Sequence, residues 1–469
     1  MAVGGKNTGS GPSAAAFWMA LFTLGVLALA AGTLLDIDRV SGLSPDGALS
    51  FSFQERLNTL RCWALLAGAL LATLGLWRWL GRLIGLISLF VCLAWVGVML
   101  NRLYPGQILS RPDRLLQAAL GQEILLSDYQ PKTYLTVPVS EVLKAKFPVI
   151  NVHAHFRRST PRTPEQMDAI MGVCNVRTAI DMDGGLGQDL RDEVERFVKP
   201  YPGRFLIMAN VWFGQQLSDW NYFAKDVEKL TQAKADGAVG IKIWKNLGLW
   251  TRDENKKLLT IDDPRVDLLW TQAGKLKLPV LIHIADLPSN FDPLDRFNDR
   301  FEFLKKNLDL AYQGPKAPSP LELLAQFERV VSKHPEVTFI LAHTCNRTDN
   351  LEEAGKLLDR HPNLYTDISA RANELGRQPS TARAFFIKYA DRLLFGTDGN
   401  PDEVIYRGYF RLLETDDDFF NDPRWPRLES GRWKLYGLKL PDDVLCKVYH
   451  DNAARLFGLK TLQEMEAAP

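Results

Sequence analysis

The chain reads as a (β/α)8 barrel preceded by an N-terminal three-helix transmembrane segment, and three observations predict this. Eight short apolar runs alternate with charged amphipathic stretches over the last two thirds of the sequence. Four of those runs end in histidine or aspartate. The first hundred residues contain three long runs with almost no charge.

Within those first residues, 14–35 and 83–100 carry no charged side chain, and 62–80 carries only Arg78, near its end. Each is about the length that crosses a bilayer, and none shows the polar stripe of a soluble amphipathic helix. A cleavable signal peptide would explain the first run alone, and the basic segment that should precede it is reduced to Lys6. The expectation is therefore an integral, multi-pass membrane protein that meets the lipid bilayer through spans 14–35, 62–80 and 83–100. Its side stays open: Lys6, Arg78 and Arg82 favour one topology, and Arg39, Arg56, Arg61, Arg102, Arg111 and Arg114 the other. The organisation is then a tail (1–13), an anchor (14–100), a connector (101–137), a barrel (138–460) and a second tail (461–469).

Strands are expected at 149–155, 176–181, 205–211, 239–244, 280–283, 338–343, 364–367 and 393–396, with helical stretches such as 222–235, 320–333, 350–359 and 381–389 between them. Runs this short and this apolar suit strands buried on both faces. An open doubly wound sheet is the alternative, but no glycine-rich phosphate loop follows the first strand. A net charge of +1 gives no reason to invoke nucleic acid. The five cysteines are scattered, form no Cys-X-X-Cys pair and build no disulfide framework.

The strand ends carry the chemistry. The first run, PVINVHAH, ends in His153 and His155, which alternation sets on one side, with Val152 and Ala154 on the other. LPVLIH ends in His283, VTFILAH in His343 and RLLFGTD in Asp398. Burial alone does not select a metal-ligand type at the same end of four strands, and barrels of this kind place their chemistry at that end. Of the seven histidines, His334 and His361 precede prolines at helix ends and read as structural, and His450 is assigned no chemistry.

Three nitrogens from His153, His155 and His283 and one oxygen from Asp398 suit one divalent ion. Zinc fits best, with manganese, iron or cobalt as alternatives. Water on such an ion is acidified to a pKa of about 7, which leaves His343 to bond that water or move a proton. Asp398 would combine ligation with proton transfer.

In their order, the His-X-His pair, PVLIH, LAH, FGTD and the closing DNAARLFG (451–458) resemble the amidohydrolase superfamily, in its amidohydrolase-related branch of metal-dependent hydrolases and decarboxylases. The resemblance covers about 140–460. It implies a (β/α)8 barrel with His153, His155, His283 and Asp398 around the metal and His343 as the catalytic histidine. Other branches carry a carbamylated lysine on the fourth strand. Lys242 has that strand position and is read first as a positive group near the substrate.

Arg371, past the seventh strand, could clamp a carboxylate or pair with Glu374. Trp212, Trp244 and Trp250 could wall the mouth, with Trp244 the substrate-binding candidate. The segments 288–318 and 402–433 would overhang the site as lids. The expected activity is a membrane-anchored, metal-dependent hydrolase acting on a carbonyl-containing small organic acid, ester, lactone or amide. A non-oxidative decarboxylase and an inactive membrane sensor or binding module are the alternatives, and oligomerisation is compatible with the fold.

Overall fold

The computed structural model describes residues 132–467 apart from 157–161, 215, 218, 313–317 and 423–432, together with scattered residues between 19 and 96. The chain divides into two compact units, Met1–Tyr134 and Leu135–Pro469. The multi-pass membrane placement and the lipid partner expected from the first unit are corrected here: among the described residues no helix is long and apolar enough to cross a membrane. Most of 14–35, 62–80 and 83–100 lies outside the described residues.

The second unit is the expected barrel. Its eight strands are β1 (Val149–Ala154), β2 (Val176–Asp181), β3 (Phe205–Asn210), β4 (Ala238–Ile243), β5 (Val280–Ile282), β6 (Phe339–Leu341), β7 (Leu364–Asp367) and β8 (Leu393–Leu394). They form one sheet in chain order, and every pair is parallel. The ring closes where the chain beyond β8 returns to β1. Val152 N donates to Phe395 O (2.9 Å), Asp398 N to His153 O (2.9 Å) and His155 N to Gly399 O (3.1 Å).

Between consecutive strands run helices α1 (Pro164–Val173), α2 (Gln188–Glu193), α3 (Trp220–Ala235), α4 (Asp267–Leu276), α5 (Pro320–Lys333), α6 (Leu351–Arg360) and α7 (Pro379–Lys388), and α8 (Glu403–Glu414) follows β8. Their starts follow from local chemistry. Thr163 caps α1 in a capping box with Gln166, Asp219 caps α3, and Ser319 followed by a proline starts α5. In α6, Leu351, Ala354, Leu357 and Leu358 fall on one buried stripe. His334 and His361 are the C-caps of α5 and α6 and pair with Asp267 and Glu328, the structural role expected of them.

Two apolar layers result. Ile150, Val152, Ile180, Met208, Leu281, Ile340 and Leu394 fill the barrel, and a larger cluster joins strands to helices. Val152 therefore faces inward, against simple alternation. The β1/β2 register breaks between Asn151 and Ala154, which lets Val152 and His153 both reach the interior. The segment 402–433 is no simple lid, because α8 packs Tyr406, Tyr409 and Phe410 on Phe395, at ring distances of 6.4, 5.7 and 5.8 Å.

Phe395 is fully buried at the seam. Phe395→Ala should lower the unfolding free energy by about 3–5 kcal/mol in denaturant titration, and an unchanged midpoint would contradict this packing.

Candidate metal centre

His153 and His155 are both buried, with ring centroids 5.4 Å apart. Each has its Nδ1 committed: His153 Nδ1–H donates to Asp367 Oδ2 and His155 Nδ1–H to Asp183 Oδ1, both at 2.8 Å. A ring protonated at Nδ1 presents a lone pair at Nε2. Asp398 Oδ1 lies 3.6 Å from Nε2 of His153 and 3.0 Å from that of His155. The His155 Nε2 is nevertheless buried without a hydrogen bond, because the carboxylate beside it is not aligned as an acceptor. Of the two Nε2 atoms, that of His155 has no donor against it while that of His153 meets Lys242 Nζ at 3.0 Å; ring nitrogens and a carboxylate gathered at one point are what ligands of a cation look like. His153, His155 and Asp398 are indeed one of two residue groups, among the described residues, whose ligand atoms all lie within 4.8 Å of one another. The donor set fits a divalent ion.

Backbone geometry holds these groups. Asp398 takes a left-handed φ of 60°, fixed by its N–H bond to His153 O. Glycine suits position 396, where a Cβ would sit a tight 3.0 Å from the His153 Cβ and 3.2 Å from the Ser369 Cβ. Past β6, His343, Thr344, Cys345 and Asn346 are all left-handed, with φ of 64°, 55°, 56° and 51°. Each such residue costs roughly 1–2 kcal/mol. The turn is pinned by His343 N to Asp367 Oδ1 (3.0 Å) and Cys345 N to Thr366 Oγ1 (2.8 Å). It stacks the His343 ring 5.2 Å from that of His153. His343 Nδ1–H donates to Ser369 O (2.8 Å), so its Nε2 is again the open nitrogen.

His283 differs. Its ring lies 4.4 Å from that of His343, but its Nε2 bonds Ala285 O at 2.6 Å and lies 3.5 Å from Asp286. It is outside the group formed by His153, His155 and Asp398. Lys242, on β4, is buried and has its Nζ 3.0 Å from His153 Nε2 and 5.2 Å from the centre of the Trp244 ring. Trp244 lies 5.2 Å from the His155 ring and 6.4 Å, edge-on, from Trp212. These rings and His155 line a cleft of about 600 Å³ together with Asp183, Asn210, Tyr222 and Lys229. Trp250 is elsewhere, packed on Tyr312. Tyr312, in the 288–318 insertion, bonds Asp286, which Lys245 also grips.

Arg371 is only 5% exposed. It donates to Ala370 O (2.9 Å) and Asn346 Oδ1 (3.4 Å), with no carboxylate in ion-pair reach among the described residues, Glu374 included.

Burial sets the proton affinities. It lowers His153, with the Lys242 charge adding to the effect. His343 falls well below the ordinary range through burial, then the His283 and Arg371 charges, and burial takes His283 down to about 4. Burial opposes charge on His155 too, but Asp183 and Asp398 outweigh it and raise that group. Asp367 stays ionised against burial because His153 holds it low.

Sequence reasoning passed over Asp367, Asp183 and Ser369. Asp367 had a visible signal, since it closes an apolar strand as Asp398 does. Asp183, two residues beyond β2, had a weaker one.

A parallel barrel with histidines and carboxylates gathered at the C-terminal ends of its strands defines a metal-dependent enzyme. A family model described as amidohydrolase matches residues 150–459, more than half of the sequence, and the chain belongs to the amidohydrolase family. It is an enzyme of the metal-dependent hydrolase and decarboxylase kind that this family comprises. No curated protein matches the chain. Among solved structures it is similar to a dihydroxybenzoic acid decarboxylase from Polaromonas sp. JS666 with bound manganese and the inhibitor 2-nitroresorcinol (15% identity, 68% of this chain and 99% of that one, TM-score 0.45). It is also similar to the 2,6-dihydroxybenzoate decarboxylase from Rhizobium (17%, 66% and 99%, 0.40) and to a dihydroorotase (14%, 67% and 69%, 0.39).

Asp183 holds His155 through its Nδ1. Asp183→Asn should weaken metal binding roughly 10–100-fold in chelator competition with the fold intact; undiminished affinity would refute the role.

Proposed function

We propose that the chain is a single-metal hydrolase of the carbonyl group of a small organic ester, lactone or amide. The supporting observation is the convergence of the Nε2 atoms of His153 and His155 on Asp398, with His343 and the Lys242 ammonium beside them. The ion would be held by His153, His155 and Asp398 and by His283 once its ring turns from the Ala285 carbonyl. Zinc is the first candidate on the mixed nitrogen and oxygen donors. When bound, the ion supplies an acidified water and polarises a carbonyl oxygen.

The protein's own groups do the rest. His343 is held neutral, with Nδ1 tied to Ser369 O and Nε2 open, so it can accept a proton at Nε2 and return it to the leaving group. Asp398 takes part in proton transfer from the opposite edge of the cluster. Lys242 supplies positive charge where the carbonyl oxygen gathers negative charge. Trp244 and Trp212 exclude water from the flank of the reacting group.

Elemental analysis of the full chain should find about one ion per chain. It should be lost in His155→Ala and Asp398→Ala and bound at least roughly tenfold more weakly in His283→Ala. His343→Ala should keep the ion while kcat falls roughly 10²–10⁴-fold. A His343→Ala enzyme of normal rate would sink the mechanism, and release of CO2 in place of a cleaved ester or amide would transfer the same residues to decarboxylation.

The pH profile follows from the sign of the His343 shift. Because the group must be unprotonated to act and its proton affinity is lowered well below 6.5, an acid limb at about 7 would belong to the acidified water and should persist in His343→Ala. A limb at or above 6.5 that His343→Ala abolishes would contradict the role given to His343.

A further inference from the structure

A buried guanidinium without an acid partner is expensive, since neither water nor a counter-charge replaces its hydration. Arg371 is such a group. Its Nη1 and Nη2 reach only the Ala370 carbonyl and the Asn346 side-chain oxygen, and its Nε has no partner. Glu374 Oε2, three residues on, is likewise buried without a hydrogen bond but makes no ion pair with it. The Asn346 Nδ2, 4% exposed, and the Asn373 Nδ2, 2% exposed, are also buried without hydrogen bonds. Asn346 closes the left-handed turn that His343 opens, so one strained element carries the imidazole at one end and an amide bound to Arg371 at the other. The carboxylates of the histidine cluster are engaged elsewhere: Asp367 with His153 and the His343 backbone, Asp398 with the two β1 histidines.

We propose that Arg371 and the Asn346 amide form a seat for one carboxylate of the substrate, distinct from the carbonyl that reacts at the histidine cluster. The substrate is then a small monoanionic organic acid carrying a cleavable ester, lactone or amide. This rests on the single-metal reading above for the reaction, but not for the seat itself. The chemistry favours a carboxylate because a planar pair of oxygens matches a guanidinium edge, and one fixed positive charge balances one negative charge. A phosphate dianion would be left undercompensated by that single charge.

The test is calorimetric titration of the full chain, both metal-loaded and chelator-treated, with benzoate, its uncharged counterpart benzamide and inorganic phosphate. Benzoate should bind in both forms, at least tenfold tighter than benzamide or phosphate. Arg371→Gln should weaken benzoate roughly 10–100-fold and Asn346→Ala roughly tenfold, with benzamide unchanged. Arg371→Lys, which keeps the charge and guards against misfolding, should fall between wild type and Arg371→Gln, and melting temperatures should confirm that each variant is folded. Benzoate that binds only with metal and ignores Arg371→Gln would overturn the seat and leave the metal reading standing. Binding that survives chelation and is lost in Arg371→Gln would establish the seat even if that reading fails. Equal affinity for benzoate and benzamide, or no benzoate binding, would overturn it.

Discussion

The centre depends on one buried carboxylate, Asp367. It accepts from His153 Nδ1, from the backbone N–H of His343, and from both the N–H and the hydroxyl of Ser369. A carboxylate removed from water remains charged only if such bonds replace its hydration. In doing so it fixes which nitrogen of His153 carries the proton and anchors the first residue of the left-handed turn. Ser369 in turn lies 3.0 Å from His153 Nδ1 and 2.9 Å from His343 Nδ1, so two histidines from different strands take their orientation from a single residue just beyond β7.

The strain around the site follows from this arrangement. Four consecutive left-handed residues at 343–346 and another at Asp398 are not what the chain would adopt by itself. They persist because hydrogen bonds from neighbouring strands over-determine them. The strained positions sit next to the open Nε2 atoms, while the strands beneath carry an ordinary packed interior. Rigidity comes from the barrel, and the unusual backbone is confined to its rim.

Much of this was legible in the sequence. The eight strands lie within a residue or two of the apolar runs, since burial on both faces leaves a run of Val, Ile and Leu that little else produces. Strand-end histidines and Asp398 could be singled out because their residue type is at odds with the run they close. Three things could not be read. The register break in β1 depends on pairing across the ring, so Val152 was set on the wrong side. The orientation of His283 depends on a carbonyl two residues on. Asp367 and Asp183 act through histidines that are neighbours only in space. The membrane reading is corrected on other ground: an uncharged run reports low polarity alone, and among the described residues no helix is long and apolar enough to cross a membrane.

The seam between β1 and the chain beyond β8 has a consequence for the order of events during synthesis. Groups that face each other there, such as Asn151 and Thr397, are 246 residues apart. The two histidines of β1 leave the ribosome early, but their carboxylate neighbour is among the last parts of the barrel to be made. Non-local contacts of this kind are closed late. A nascent or C-terminally truncated chain can therefore offer an ion only an incomplete, mobile set of ligands. Assembly of the centre is thus a checkpoint on ring closure, and in a growing chain it comes after most of the hydrophobic interior has been synthesised.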